Sequence, residues 1–197
     1  GDEELAERYE VFEGLVMQGL LKPEGEVGPV AETLPPMPYP LTTLVLNVTN
    51  KCNLACTYCY EFGEDKLADA LRKNGDARRS RMSSETARTS IDFLFENSAG
   101  RDEVSVTFFG GETLLNFDVI RDAVLYAEER AIECGKRLSF ALTTNATLLT
   151  DEIIDFLVAH RFGVNVSIDG GAEDQDRHRT FKSGKGSYEE IAPRIRS

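Results

Sequence analysis

The residues with the most chemistry in them fall within eight positions, Cys52-Asn53-Leu54-Ala55-Cys56-Thr57-Tyr58-Cys59. The 197-residue chain has four cysteines, and three of them are here, spaced C-x3-C-x2-C. Thiolates this close together serve one centre, and they supply three ligands to it rather than four. A four-iron cluster normally takes four cysteines. With three, one iron keeps an open position, which is how a catalytic rather than a structural metal site is built. The alternative is a zinc ion completed by a histidine. The chain offers only His160 and His178 for that role. His160 falls on a predicted helix and His178 in a polar loop, and neither has the paired spacing of a zinc finger. Cys134 stands alone on a predicted helix and reads as a small buried or half-buried residue.

The elements around these cysteines follow one repeating pattern: apolar run, polar or glycine-rich loop, amphipathic helix. Leu44-Val45-Leu46-Asn47-Val48 reads as a buried strand within 43–48, and it leads into the cysteine loop. Ser83-Ser84-Glu85-Thr86 caps a helix that runs to about Asn97, with Ile91, Phe93, Leu94 and Phe95 turned to the core. A second strand over 103–109 ends in Gly110-Gly111-Glu112, and a helix over 117–134 is closed by Gly135. A third strand over 137–143 ends in Thr144-Asn145-Ala146. Thr150-Asp151-Glu152 then caps a helix over 152–161, closed near Gly163. A fourth strand over 164–168 ends in Asp169-Gly170-Gly171, and Gly186-Ser187 opens a last helix. Strands alternating with helices make an α/β fold with a parallel sheet and right-handed crossovers. In such folds, chemistry gathers at the carboxyl ends of the strands. All four predicted strands end there in polar or glycine-rich sequence, so four loops are expected to line one rim.

The motif C-x3-C-x-aromatic-C after a first strand, with Tyr58 as the aromatic, resembles the signature of the radical S-adenosylmethionine (SAM) enzymes. That resemblance implies a [4Fe–4S] cluster on Cys52, Cys56 and Cys59, with SAM chelating the open iron. It implies reductive cleavage of SAM to a 5′-deoxyadenosyl radical, and a partial (β/α)6 barrel, here truncated after about four strands. Gly110-Gly111-Glu112 resembles the family's GGE motif. Its glycines would allow close backbone approach, and Glu112 would accept a hydrogen bond from the SAM amino group. The usual proline after this glutamate is replaced by Thr113. Ser167 and Asp169 resemble residues that reach the SAM ribose and amino acid, and Asn145 occupies the asparagine of a TNG-like turn. Gln175-Asp176-Arg177-His178-Arg179 resembles a histidine-aspartate-x-x-arginine run. In it Gln175 replaces the histidine, and Arg179 would pair with the SAM carboxylate through its fork of donors. No catalytic side chain is expected beyond the cluster and SAM. Taken singly, Glu112 also fits a solvated loop acid, Asp169 a turn former and Arg179 a surface ion pair.

The phrases TNKCNLACTYCY, VTFFGGETLLNF, TTNATLLTDEIIDFL and T-F-K-S-G-K-G-S-Y resemble the branch that modifies peptides and proteins, the SPASM-type maturases. Within it the likeness is greatest to the maturation enzymes of quinohemoprotein amine dehydrogenase, which implies cysteine-to-aspartate or -glutamate thioether cross-links in a small subunit. An anaerobic sulfatase-type maturase making formylglycine is the runner-up. A zinc-stabilised peptide-binding module is the alternative of another class. The branch implies a peptide or small-protein substrate and an electron donor such as flavodoxin or ferredoxin. It also implies auxiliary Fe–S clusters in a C-terminal extension. The chain has no cysteine after Cys134, so it is expected to be a fragment lacking that part.

Composition bounds the rest. Hydrophobic content of 41% and charged content of 28% are those of a soluble globular protein. A net charge of −12 argues against general nucleic-acid binding and against docking on anionic lipid. No apolar run approaches the roughly 20 residues of a membrane span. Metal-type cysteine spacing in a chain of this size points to a reducing compartment, the cytoplasm. Residues 1–22 hold a predicted amphipathic helix over 3–21, the remnant of a further domain or a packing helix. Six prolines make 23–40 an extended linker. The core then spans 41–197. The stretch 65–81, with Arg72, Lys73, Arg78, Arg79 and Arg81, reads as solvated.

Overall fold

The computed structural model describes residues 12–13, 16–17, 39–59 and 81–196. The chain divides into two units, Gly1–Tyr39 and Pro40–Ser197. In the first, Phe12, Glu13, Val16 and Met17 are helical, inside the predicted helix over 3–21. The remainder of that helix, residues 18–38 and the stretch 60–80 lie outside the described residues.

The second unit holds four strands: β1 (Thr43–Thr49), β2 (Glu103–Gly110), β3 (Arg137–Thr144) and β4 (Gly163–Val166). They lie in the order β1-β2-β3-β4, and every neighbouring pair is parallel. Sequential order with right-handed crossovers stacks the connecting helices on one face, which is the winding of a barrel rather than of a doubly wound sheet. Burial agrees with this. Leu46, Val48, Val104, Val106, Phe108, Phe140 and Leu142 are buried, in one core with Ile91, Leu94, Ile120 and Val124. These last four come from α1 (Ser84–Glu96) and α2 (Phe117–Cys134). Residues one step along each strand, Val45, Ser105, Thr107, Ala141 and Thr143, face the other way and are partly or well exposed. The architecture is therefore an α/β arc of four strands, a partial barrel.

Local signals explain the boundaries. The Ser83 hydroxyl accepts from the Thr86 N–H at 3.1 Å and opens α1, and Thr150 does the same for α3 (Asp151–Ala159) through Ile153 at 3.3 Å. Gly135 closes α2 in the left-handed conformation, φ 63. Helix α3 ends earlier than expected, with Arg161 (φ 54) rather than Gly163 left-handed, and Gly163 begins β4. Phe93, expected in the core, is 56% exposed. The buried stripe of α1 is Ala87, Ile91, Leu94 and Phe95, and Phe93 projects from the opposite side. Cys134, expected to be buried or half-buried, is exposed in the last turn of α2.

The largest departure follows β4. Residues expected to be a polar loop form α4 (Ala172–His178), and α5 (Tyr188–Arg196) comes after it. Helix α4 has no apolar stripe to betray it; its buried residue is Gln175. Among the described residues no helix is long and apolar enough to cross a membrane.

Candidate functional site

The cysteine loop leaves β1 at the carboxyl end of the sheet and is fastened on both sides. On one side lies the end of β2. The Gly111 N–H donates to Thr49 O at 2.9 Å and the Glu112 N–H to Lys51 O at 2.8 Å. This approach requires the glycines. A Cβ on Gly110, whose φ is +148, would sit 2.3 Å from Thr49 O, and one on Gly111 2.5 Å from Lys51 O. The close approach that the glycines permit is thus to the chain's own backbone. On the other side lies the segment after α4. The Ala55 N–H donates to Thr180 O (2.8 Å) and the Thr57 N–H to His178 O (3.0 Å), and Leu54 bridges Phe181.

Glu112 is fully buried and does not line the open rim. Its Oε1 accepts from the Leu114 N–H (3.1 Å) and the Thr144 hydroxyl (2.6 Å), and its Oε2 accepts from the Asn145 N–H (2.8 Å). Burial pushes its carboxyl above the ordinary carboxylate range, although these three donors pull the other way. The Thr144-Asn145-Ala146 turn is held in this manner, with Ala146 left-handed at φ 64. From the turn, the Asn145 amide reaches Asn53 Oδ1 at 3.0 Å and lies 3.8 Å from Cys52 Sγ. Asn145 Oδ1 accepts from the N–H and hydroxyl of Thr147, whose hydroxyl takes a bond from Asn53.

Asp169 is the hub of the third wall. Its Oδ1 accepts from Arg179 Nε at 2.8 Å, and its Oδ2 accepts from the Tyr58 hydroxyl. The Arg179 guanidinium lies 5.2 Å from the Tyr58 ring centre, and the His178 ring meets Tyr58 edge-on at 5.9 Å. The Tyr58 phenol is pushed up to about 12, by desolvation and by its bond to the Asp169 carboxylate. For Asp169, burial raises the carboxyl, but the Tyr58 and Arg179 bonds outweigh it and hold it below its ordinary value. A carboxyl depressed in the folded state contributes stability above its unfolded value of about 4, and loses it as pH falls through the depressed value. Melting temperature is therefore expected to fall on acidification more steeply for the wild type than for Asp169→Asn, which has already lost the pair at neutral pH. Parallel pH profiles would contradict this.

These walls enclose one cavity of about 160 Å³, lined by Cys52, Cys56, Tyr58, Cys59, Gly110, Gly111, Asn145, Ser167 and Arg179 among others. Of the residues singled out in the sequence, Glu112 and Asp169 stand behind the lining. Burial pushes the Cys52 and Cys56 thiols up, so they suit a group that brings its own positive charge better than work as free nucleophiles. Among the described residues no three His, Cys, Asp or Glu side chains converge tightly enough to hold a single metal ion. The three cysteines line the same cavity. His160, one of the histidines considered for zinc, is engaged by Glu128 on α2 at 2.8 Å. His178 Nδ1 lies 3.1 Å from the Thr57 hydroxyl.

The profile of the radical SAM superfamily matches residues 46–196. The chain belongs to the radical SAM superfamily. An uncharacterised protein of Methanocaldococcus jannaschii is 36% identical over 73% of this chain. A serine-type anaerobic sulfatase-maturating enzyme of Bacteroides thetaiotaomicron is 34% identical over 82% of it. The chain spans 44% and 37% of those two proteins' lengths, so it corresponds to less than half of each. The structure of native anSMEcpe with bound AdoMet superposes with a TM-score of 0.65 over 80% of this chain and 41% of that one. At 23% identity, it establishes the shared radical SAM fold.

Within this radical SAM fold, the sequence singles out none of four polar residues near the site for a structural role: Thr144 stands only in a strand-end turn, Gln175 only in a motif-like run, Ser187 only as a helix start, and Thr147 is not singled out at all. All four are buried. Position points to the two threonines, which fall at or just beyond the carboxyl end of β3, whereas Gln175 and Ser187 lie on and beyond α4.

Proposed function

We propose that this chain carries the cluster and SAM site of a radical SAM enzyme that modifies a peptide or protein. Cys52, Cys56 and Cys59 would hold a [4Fe–4S] cluster. When bound, the cluster and SAM supply a 5′-deoxyadenosyl radical, which removes a hydrogen atom from the substrate. Arg179 would take the SAM carboxylate. Its Nε is used by Asp169, while its terminal nitrogens have no other hydrogen-bond partner among the described residues. Ser167, Asn145 and Tyr58 lie on the cavity wall, and Ser167 would meet the SAM ribose. Glu112, expected from the sequence to meet the SAM amino group, is buried with both oxygens taken by Leu114, Thr144 and Asn145, so it would act on SAM only through the turn it holds. Asp169 orients Arg179 and Tyr58. The observation that carries this reading is the convergence of three cysteines, two glycines, Asn145, Ser167 and Arg179 on one cavity where the parallel strands end.

Two finer readings concern the product. The names of relatives, serine-type and cysteine-type anaerobic sulfatase-maturating enzymes, support formylglycine formation. The motif likeness noted in the sequence supports thioether cross-linking in an amine dehydrogenase subunit. We favour the first, because a sulfatase-maturating relative is 34% identical over most of this chain. A flavodoxin or ferredoxin would supply the electron. Auxiliary clusters would belong to a part of the protein beyond these residues, in a reducing cytoplasm.

The test is anaerobic reconstitution with iron and sulfide, followed by EPR of the reduced protein with and without SAM. A [4Fe–4S] signal that changes on adding SAM is expected. Zinc without a cluster would leave the peptide-binding module, and a cluster indifferent to SAM would refute the SAM site. The products are separated by mass spectrometry of candidate peptides. Cysteine converted to formylglycine loses its sulfur. Serine converted to formylglycine loses two hydrogens and gains an aldehyde that a hydrazide captures. A thioether loses two hydrogens, keeps the sulfur and yields no aldehyde.

A further inference from the structure

Behind the Asp169–Arg179 pair lies a buried amide that the proposed chemistry does not use. Gln175 is fully buried on α4. Its Oε1 accepts from the Asp169 N–H at 2.9 Å, and its Nε2 donates to Ser187 Oγ at 2.9 Å. Ser187, also fully buried, donates its own hydroxyl to Arg179 O at 2.6 Å. Both ends of one amide therefore lead to the same charged pair, through the backbone of each member. The direction of the amide is forced: its oxygen must face an N–H, and its nitrogen must face an oxygen whose hydrogen is already given away.

The sequence around Ser187 is shaped to hold it there. Asp176 Oδ1 accepts from the Tyr188 N–H at 2.8 Å, and the Asp176 carboxylate lies over Gly186, where a Cβ would come within 2.2 Å of Asp176 Cγ. Gly186 and Tyr188 are thus pinned to α4, and Ser187 between them points inward at Gln175. The cysteine loop is tied to this region by backbone bonds at 55 and 57 and by the side chains of Thr57 on His178 and Tyr58 on Asp169, none of which is made by the Gln175 amide itself.

We propose that Gln175 and Ser187 form a positioning strut that aims Arg179 into the rim cavity and so sets the affinity for SAM, while cluster assembly does not depend on it. The inference rests on the SAM reading above. Without the strut, α4 and the loop at Asp169 lose their common anchor. The guanidinium then has more directions open to it, and binding loses its preorganisation.

The experiment uses the whole chain, reconstituted anaerobically, with Gln175→Leu, Gln175→Glu and Ser187→Ala, and exposed Glu173→Ala on the same helix as control. Iron content, the EPR signal of the reduced cluster without SAM, melting temperature and SAM dissociation constant by equilibrium dialysis are measured for each. Gln175→Glu keeps the shape but turns an acceptor toward Ser187. That side chain can satisfy the carboxylate only by releasing Arg179 O. Cluster content and the SAM-free signal are expected to stay at wild-type levels. SAM affinity is expected to weaken about tenfold in both Gln175 variants and less in Ser187→Ala, as for a lost buried hydrogen bond. Wild-type SAM affinity in a cluster-loaded Gln175 variant would overturn the proposal. So would loss of cluster and melting temperature together in all three variants, because the strut would then serve the fold as a whole. Failure of the wild type itself to bind SAM would refute the site reading instead, which keeps the two claims separable.

Discussion

Alanine in place of any one of Cys52, Cys56 and Cys59 is expected to reduce bound iron and the reduced-cluster signal to background. Three sulfurs already leave one iron of a four-iron body without a cysteine, so the chain has no ligand to spare. Cys134 cannot substitute. It ends α2, which returns antiparallel to the strands, so it lies exposed at the opposite end of the sheet from the rim. Cys134→Ala is therefore expected to load iron normally. The three loop cysteines are only partly buried and lie outside the apolar core. The unloaded proteins should consequently differ in unfolding free energy by no more than about 1 kcal/mol. Iron analysis and denaturant unfolding of the same preparations check both statements. A cluster that survives loss of one cysteine would mean that another group completes the site.

Glu112→Leu is expected to cost about 3–5 kcal/mol of stability, since it strands buried donors that each cost about 1–3 kcal/mol when unpaired. The N–H groups of Leu114 and Asn145 lose their acceptor outright, whereas the Thr144 hydroxyl can turn elsewhere. Glu112→Gln preserves the volume but offers one oxygen where two were used. Its amide nitrogen must then face a donor, and a smaller loss of about 1–3 kcal/mol is expected. Both variants release the turn that holds Asn145 beside Asn53 and Cys52, so the reconstituted cluster should also become more labile to oxygen. Denaturant unfolding without metal isolates the first effect, and cluster bleaching in air follows the second. A Glu112→Leu protein within about 1 kcal/mol of the wild type would show that the buried carboxylate is not what holds the turn.

The cysteine cluster and the rim were legible in the sequence. Three cysteines within eight residues must lie on one loop by covalent spacing alone. The alternation of apolar runs with capped helices gives a parallel sheet, whose strand ends must lie side by side. Where the local signal was weak, legibility failed. Helix α4 was missed because its inward-facing residue is Gln175, and hydrophobic periodicity cannot register a helix anchored by an amide. Phe93 was assigned to the core on residue type, although its angular position on α1 turns it to solvent.

Composition and spacing thus determined which residues gather at the rim, because strand order and loop position follow from local pattern. Only the tertiary structure decided how they are held. The partners of Glu112 at Thr144 and Asn145 lie more than thirty residues away in sequence, and those of Tyr58 at Asp169 more than a hundred. The same is true of the glycines: their type announces a close approach, but only the folded backbone shows that what approaches is the strand-to-loop turn at Thr49 and Lys51. Hydrogen bonds and van der Waals contacts act over a few ångströms. Their pattern exists only once packing has brought distant segments together.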